Sequence, residues 1–276
     1  MTSKTIDTGT PDLLAELSAG VLTLTLHRPE SRNALSRPML QALEQQLAAA
    51  EFDDAVKCIV LTGAGKGFCA GGDVKGMAAR SADGTAAAEP IDAVIHRQQH
   101  SQRATAGKLF TMPKPTIAAI NGAAAGAGFG LALSCDLRIM SSDAFMTTAF
   151  AKVGYPGDYG GAWFLTRLVG AAKARELFLL SDRVDANEAL RLGLTNWVCA
   201  ADELGTRVEQ LATRLAAGPS IAYRYMKENL NRAVSGELGE YLDVETTHQL
   251  HCSLTEDHRE AARAFVEKRQ PVFKGR

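Results

Sequence analysis

Two glycine-rich segments, each following a short apolar run, constrain this chain more than any other feature. Lys57–Leu61 is compact and apolar and leads into Thr62–Gly72, which holds five glycines. Thr116–Ile120 is a β-branched run that ends in Asn121-Gly122 and continues as Ala-Ala-Ala-Gly126-Ala-Gly128-Phe-Gly130. Apolar runs of this length bounded by glycines predict buried strands, and the glycines permit backbone angles and close approaches that a Cβ would forbid. A helix is expected to begin near Ala127-Gly128, so the unit of strand, glycine loop and helix occurs twice. Helix amino termini carry free N–H donors and partial positive charge, which makes such a turn a place to hold an oxygen anion.

The remaining pattern extends this alternation. Val21–Leu26 alternates as a strand, and Ser36 caps a helical pattern through Met39, Leu40, Leu43 and Leu47. A helix runs from Ile91 to Thr111 and stops before Pro113. Leu137–Met140 and Ala144–Thr147 are short strands preceding the glycine-rich loop Gly154–Gly161. Trp163–Val169, Lys173–Leu180, Ala186–Leu192 and most of Asp202–Lys268 carry helical periodicity, whereas Ser81–Glu89 is Ala-rich and polar, a loop or weak helix. The expected fold is α/β with a helical tail. Residues 1–11 are expected to form a flexible tail, 12–200 the core and 201–276 a C-terminal helical region.

At 276 residues the chain buries a core without staples, and 30 basic against 31 acidic side chains leave a net charge of −1. With no concentrated Lys/Arg block, nucleic acid and membrane surfaces are not expected partners, and small-molecule chemistry leads. The five cysteines are widely spaced and never form CxxC, which fits reduced thiols in the cytoplasm. Residues Met1 to Pro11 lack an apolar signal core, and no apolar stretch is long enough for a membrane span.

Several common chemistries are excluded by spacing. Gly126-x-Gly128-x-Gly130 is not GxGxxG, no acidic residue ends a second strand, and neither a GxxxxGK[ST] phosphate loop nor a GxSxG elbow is present. The pairs His96/His100 and His248/His251 lack a third ligand, so they are expected as helix-surface or packed histidines and no metal is expected.

Four segments together resemble the crotonase (enoyl-CoA hydratase/isomerase) superfamily over nearly the whole chain. They are His27-Arg-Pro-Glu-Ser-Arg-Asn-Ala-Leu35, the Phe68-Cys-Ala-Gly-Gly-Asp73 loop, the Asn121 turn, and the ending Phe265-x-Glu-Lys-Arg-x-Pro-x-Phe-Lys-Gly275. The resemblance implies a spiral of repeated ββα units with a C-terminal helical subdomain. It implies an acyl-CoA thioester as substrate, no cofactor beyond that CoA, and trimers or dimers of trimers. By matching motifs, the N–H groups of Gly72 and Ala127 would bind the thioester oxygen. Backbone around Ala70, Gly72 and Val74 would line the adenine pocket, Arg28 would lie near the CoA phosphates, and Phe273 and Lys274 near a neighbour's CoA. Taken alone, the Cys69 loop is a generic tight turn and Arg28 an ordinary surface arginine.

The departures from the family pattern narrow the reaction. Hydratases of this family use two glutamates, and the matching positions here are Gly130 and Phe150, neither of which transfers a proton. Asp158 matches the branch in which one acid, four residues after the glycine at Gly154, shuttles a proton in double-bond isomerisation. That branch has proline immediately before the acid; here Pro156 is displaced by one and Gly157 intervenes. Without the family match, Asp158 is a turn or helix-cap residue. With it, the expected reaction moves a proton between C2 and C4 of an enoyl-CoA, which requires Asp158 to be desolvated by neighbours such as Phe129, Phe150 and Trp163. Hydration through Asp158 and an ordered water, nucleophilic attack by Asp158 as in aryl-CoA dehalogenases, and acyl-CoA binding without turnover are the alternatives. Tyr155, Tyr159, Trp163 and Phe129 are candidates for the acyl pocket.

Overall fold

Apolar runs with no alternation are the strands that lie between two layers of cover. In the computed structural model, which describes residues 3–73 and 89–276, three such runs each feed a second, shorter strand. Lys4–Ile6 (β1), Leu13–Ser18 (β2) and Val21–Leu26 (β3) form an antiparallel edge. Then come Cys58–Gly63 (β4) with Gly67–Cys69 (β5), Thr116–Ile120 (β6) with Ala123–Ala125 (β7), and Leu137–Ser141 (β8) with Phe145–Thr147 (β9). The first member of each pair joins a large sheet and the second a small one. Val184–Asp185 (β10) completes the small sheet, in the order β10-β9-β7-β5, and Trp197–Cys199 (β11) the large one, β1-β2-β3-β4-β6-β8-β11. From β3 onward the large sheet is parallel. This is the ββα spiral of the crotonase fold.

Helices cover both faces. Arg37–Phe52 (α1) starts at Ser36, whose Oγ accepts the Met39 N–H at 3.1 Å, and buries Met39, Leu43 and Leu47 as the periodicity predicts. Ile91–Gln102 (α2) continues through a π turn, Arg103–Gly107, into Lys108–Thr111. Ala127–Ser134 (α3) is buried on every side. Gly161–Leu180 (α4) joins the two helices expected there across a kink at Gly170. Ala186–Arg191 (α5) and Leu204–Ala216 (α6) follow, then Ser220–Ala233 (α7), Leu238–Ser253 (α8) and Glu256–Val266 (α9).

Two expected boundaries move. Lys4–Ile6 pairs with β2, and Thr8 Oγ1 donates to the Leu13 carbonyl at 2.6 Å, so residues 4–6 belong to the sheet rather than to a tail and Thr8 is tied to it. Helix α6 places Leu204, Val208 and Ala212 on Cys58, Val60, Ile117 and Ile139, so it is a layer of the core and not part of a C-terminal appendage. The amphipathic spacing of α6 was legible, but nothing local says which sheet its apolar face covers. The segment Ser81–Glu89 lies outside the described residues except for Glu89.

Candidate active site

Two asparagines shape the loops that follow β3, β4 and β6. Asn33, fully buried at φ 57°, donates through Nδ2 to the carbonyls of Ala64 (2.9 Å) and Gly67 (2.8 Å) and accepts the Arg28 N–H through Oδ1. Asn121 donates to the carbonyls of Gly63 and Gly65, both at 2.9 Å. These bonds satisfy carbonyls that the strand ends leave unpaired, which folds the glycine loop back toward the small sheet.

That fold-back brings the two glycine-rich segments into backbone contact. Gly71, at φ +90°, abuts the Ala125–Ala127 turn so closely that a Cβ on it would lie 2.8 Å from Ala125 O and 3.3 Å from Ala127 N. Only glycine meets both the angle and the contact. Leu35 N–H donates to Gly71 O at 2.8 Å and Leu35 bridges Gly72 in parallel, which holds the loop from the other side. Ala127 opens α3 after Gly126, whose φ of 53° and ψ of −122° turn the chain out of β7. Among the described residues, neither Gly72 N–H nor Ala127 N–H donates to a protein acceptor. The arrangement therefore presents two adjacent, unused donors, one of them at a helix amino terminus.

Asp158 lies within electrostatic reach of the first of these loops, at Cys69. Its carbonyl accepts the Gly161 N–H at 2.9 Å, but α4 is capped at Gly160 without any side-chain bond, so the Asp158 carboxyl is not a helix cap. Oδ1 is buried and has no hydrogen-bond partner among the described residues. Burial pushes its pKa up from the ordinary carboxylate range to about 6. The carboxyl is close enough to Cys69 to oppose ionisation of that thiol, which burial has already pushed up to about 12, and Cys69 Sγ accepts the Gly71 N–H at 3.4 Å. Phe150 lies beside the same turn: its ring stacks on Phe178 at 5.6 Å and comes within van der Waals reach of Gly126 and Gly161. A carboxyl that titrates near 6 thus lies close to the Cys69 end of the loop that carries Gly72.

The turn departs from the one-acid branch in shape. Gly157 adopts φ +123°, which proline, fixed near −65°, cannot take, so the branch's proline is incompatible with this backbone. Position 130 departs from the hydratases in volume, because a Cβ there would lie 2.8 Å from Tyr159 O. Tyr159 is 3% exposed and fills the space in which a second carboxylate would begin. Tyr159, a candidate for the acyl pocket from the sequence, has this packing role without any local signal, because nothing in either segment links residues 130 and 159. Phe129 is core, whereas Tyr155 and Trp163 are 54% and 40% exposed. Trp163 meets Phe110 edge-on at 5.2 Å and carries the Arg167 guanidinium 3.7 Å above its ring.

The other expected contacts divide into two groups. Ala70 N–H donates to Arg32 O at 3.0 Å, and Arg28 Nη1 donates to Ala34 O at 2.9 Å and Asp73 Oδ2 at 3.2 Å, placing both residues beside the Gly72 loop. Val74 lies outside the described residues. Phe273 and Lys274 lie elsewhere: the Lys274 and Gly275 N–H groups donate to buried Asp257 at 2.7 and 2.9 Å, and Gly275 abuts Lys57, at the start of β4. Arg28 follows the end of the parallel neighbour β3, so the two groups occupy opposite ends of the strands within one chain. The histidine pairs serve packing and pairing. His248 stacks on Tyr225 at 4.3 Å and bonds Asn229, and His100 pairs with Glu44. Among the described residues no three His, Cys, Asp or Glu side chains gather as a metal site, and no helix is long and apolar enough to cross a membrane.

The family model described as enoyl-CoA hydratase/isomerase matches residues 16–276. The chain is 37% identical to a 1,2-epoxyphenylacetyl-CoA isomerase from Escherichia coli K12, over 96% of this chain and 98% of the relative. It is 32% identical to a short-chain-enoyl-CoA hydratase from Clostridium acetobutylicum, over 94% and 96% respectively. The crystal structure of an enoyl-CoA hydratase from Polaromonas sp. JS666 superposes with a TM-score of 0.87 at 33% identity, covering 95% of this chain and 99% of that one.

Proposed function

The chain belongs to the enoyl-CoA hydratase/isomerase family, and from that premise we propose that it shifts the C=C bond of an enoyl-CoA through an enolate, with Asp158 as the proton shuttle. The observation that carries this reading is the buried Asp158 Oδ1, without a hydrogen-bond partner among the described residues and close enough to Cys69 to act on its thiol, where positions 130 and 150 hold glycine and phenylalanine. Ionised Asp158 removes a proton from C2 of a 3-enoyl thioester. The electron pair delocalises onto the thioester oxygen, where Gly72 and Ala127 N–H groups meet the developing charge; one such donor is worth about 3 to 4 kcal/mol of barrier by mutational precedent. The proton returns at C4, the double bond moves to C2–C3, and Asp158 is regenerated with no water gained or lost. A pKa of about 6 suits this work, because the group is ionised at neutral pH yet basic enough to take the proton.

The relative named an isomerase supports rearrangement, and the relative named a hydratase supports the second reading, water addition through Asp158 and an ordered water. Mass spectrometry of the protein with 2-enoyl-CoA and with 3-enoyl-CoA, beside Asp158→Ala, separates them. Isobaric interconversion lost in the variant supports isomerisation; a product one water heavier replaces it with hydration. Binding without turnover of either compound leaves only a CoA-binding role.

Three further assignments rest on the same membership. Arg28 and Ala70 contact the CoA moiety. Phe273 and Lys274 reach a neighbouring subunit's CoA in a trimer or dimer of trimers, which is supported by their distance from Arg28 within one chain and by the exposed Leu238, Leu254, Phe265 and Val266 of α8, α9 and the turns that flank them. The compartment is cytoplasmic, in keeping with five free cysteines. Sedimentation giving a monomer would overturn the shared site.

A further inference from the structure

Asp158 sits in an unusual stretch of backbone. Gly157 precedes it at φ +123°, Tyr159 follows at +45° and Gly160 at +72°. A tyrosine in the left-handed region is uncommon and persists only where its surroundings hold it there. Here the surroundings are two helices that are remote in sequence.

From α2, Gln102 Oε1 accepts the Tyr159 N–H at 3.2 Å. Ser101 and Gln98 of the same helix lie within hydrogen-bonding reach of the Tyr159 hydroxyl, whose ionisation burial pushes up to about 12. From α3, Gly130 offers a bare Cα against which Tyr159 packs, with no room for a Cβ: it would meet Tyr159 O at 2.8 Å and Tyr159 Cβ at 3.0 Å. The residue beside the acid is therefore held at its N–H by Gln102 and packed at its Cβ and backbone carbonyl over the bare Gly130, with side chains of α2 in reach of its hydroxyl. Among the described residues, Asp158 itself is tied through its own carbonyl, to Gly161 N–H.

Building on the one-acid reading, we infer that Tyr159 is the positioning residue for Asp158: α2 and α3 clamp Tyr159, and the clamp aims the Asp158 carboxyl at the Cys69–Gly72 loop. The same clamp fills the space above Gly130, so the device that orients the first acid also excludes a second. Among the described residues, the titratable groups within electrostatic reach of Asp158 are Cys69 and Tyr159, both held neutral by burial, so neither supplies a competing charge.

The test reads Asp158 directly as well as through turnover. In full-length protein labelled with ¹³C-carboxyl aspartate, the Asp158 resonance is assigned by its loss in Asp158→Asn and then titrated. The wild-type midpoint is expected near 6. Gln102→Ala is expected to move it toward 4, as the carboxyl swings to solvent, and to lower kcat about tenfold with KM unchanged. Gln102→Glu keeps an acceptor for the Tyr159 N–H, so kcat recovers, while its added charge moves the midpoint above that of the wild type. Tyr159→Phe removes only the hydroxyl contacts and is expected to give a smaller shift in the direction of Gln102→Ala. An unmoved midpoint in Gln102→Ala overturns the clamp, whatever the activity of Asp158→Ala. Full turnover in Asp158→Ala overturns the one-acid reaction, and a shifted midpoint in Gln102→Ala would then still support the clamp.

Discussion

Around Gly72 and Ala127 the chain meets itself backbone to backbone, and the contact at Gly71 leaves no room for a methyl group. Around Asp158 the work is done by side chains: Phe150 and Phe178 stack nearby, Tyr159 packs over Gly130, and the carboxyl is left without a partner. The first region depends on what is absent from its residues, the second on what surrounds them. Damage to the first should act through geometry at every pH, whereas damage to the second should act through protonation and change with pH.

The largest effect is expected at the acid. Asp158→Ala should lower kcat for 3-enoyl-CoA isomerisation about a thousandfold at pH 8, measured by steady-state kinetics. A loss below tenfold would mean that the side-chain half does not move the proton. Next comes the backbone half. Gly71→Ala should lower kcat about a hundredfold by displacing the Ala127 N–H, with the same ratio at pH 5.5 and pH 8. A ratio that changes with pH would break the distinction between the halves.

Stability offers a smaller but sharper contrast. The pKa of Asp158 is raised in the folded protein, so the proton it binds contributes stability that is complete below about pH 4 and lost as pH rises through about 6. Above that window the ionised carboxyl destabilises the fold. Asp158→Asn should therefore be more stable than the wild type at pH 8 by about 2 kcal/mol, discounted for partial solvent access, and equal to it at pH 4. Urea denaturation at the two pH values measures this, and a difference independent of pH would refute it. In the wild-type enzyme the same ionisation should make kcat/KM fall below about pH 6. The smallest effect is expected where the two halves touch. Cys69→Ala removes a neutral thiol acceptor from the Gly71 N–H and should change kcat by no more than about threefold.

The backbone half was the more legible in the sequence. Glycines after an apolar run report a local need for bare backbone, and Ala127 opens its helix where the pattern places it. Asp158 was legible only beside the matching motifs, because an aspartate two residues before a glycine is otherwise a turn residue. The reach of Gln102 to Tyr159, across 57 residues, left no trace in either segment. Neither did the destination of α6 or the burial of Asp158.

Elements, their order and the α/β class follow from short-range periodicity, since hydrogen bonding and side-chain direction repeat within a few residues. Family membership was likewise carried by motifs that are contiguous in the chain. The proton affinity of Asp158, the closed space at Gly130 and the separation of Arg28 from Lys274 came from tertiary packing. Desolvation and excluded volume are sums over atoms drawn from distant segments, and no stretch of the chain contains those sums until it has folded.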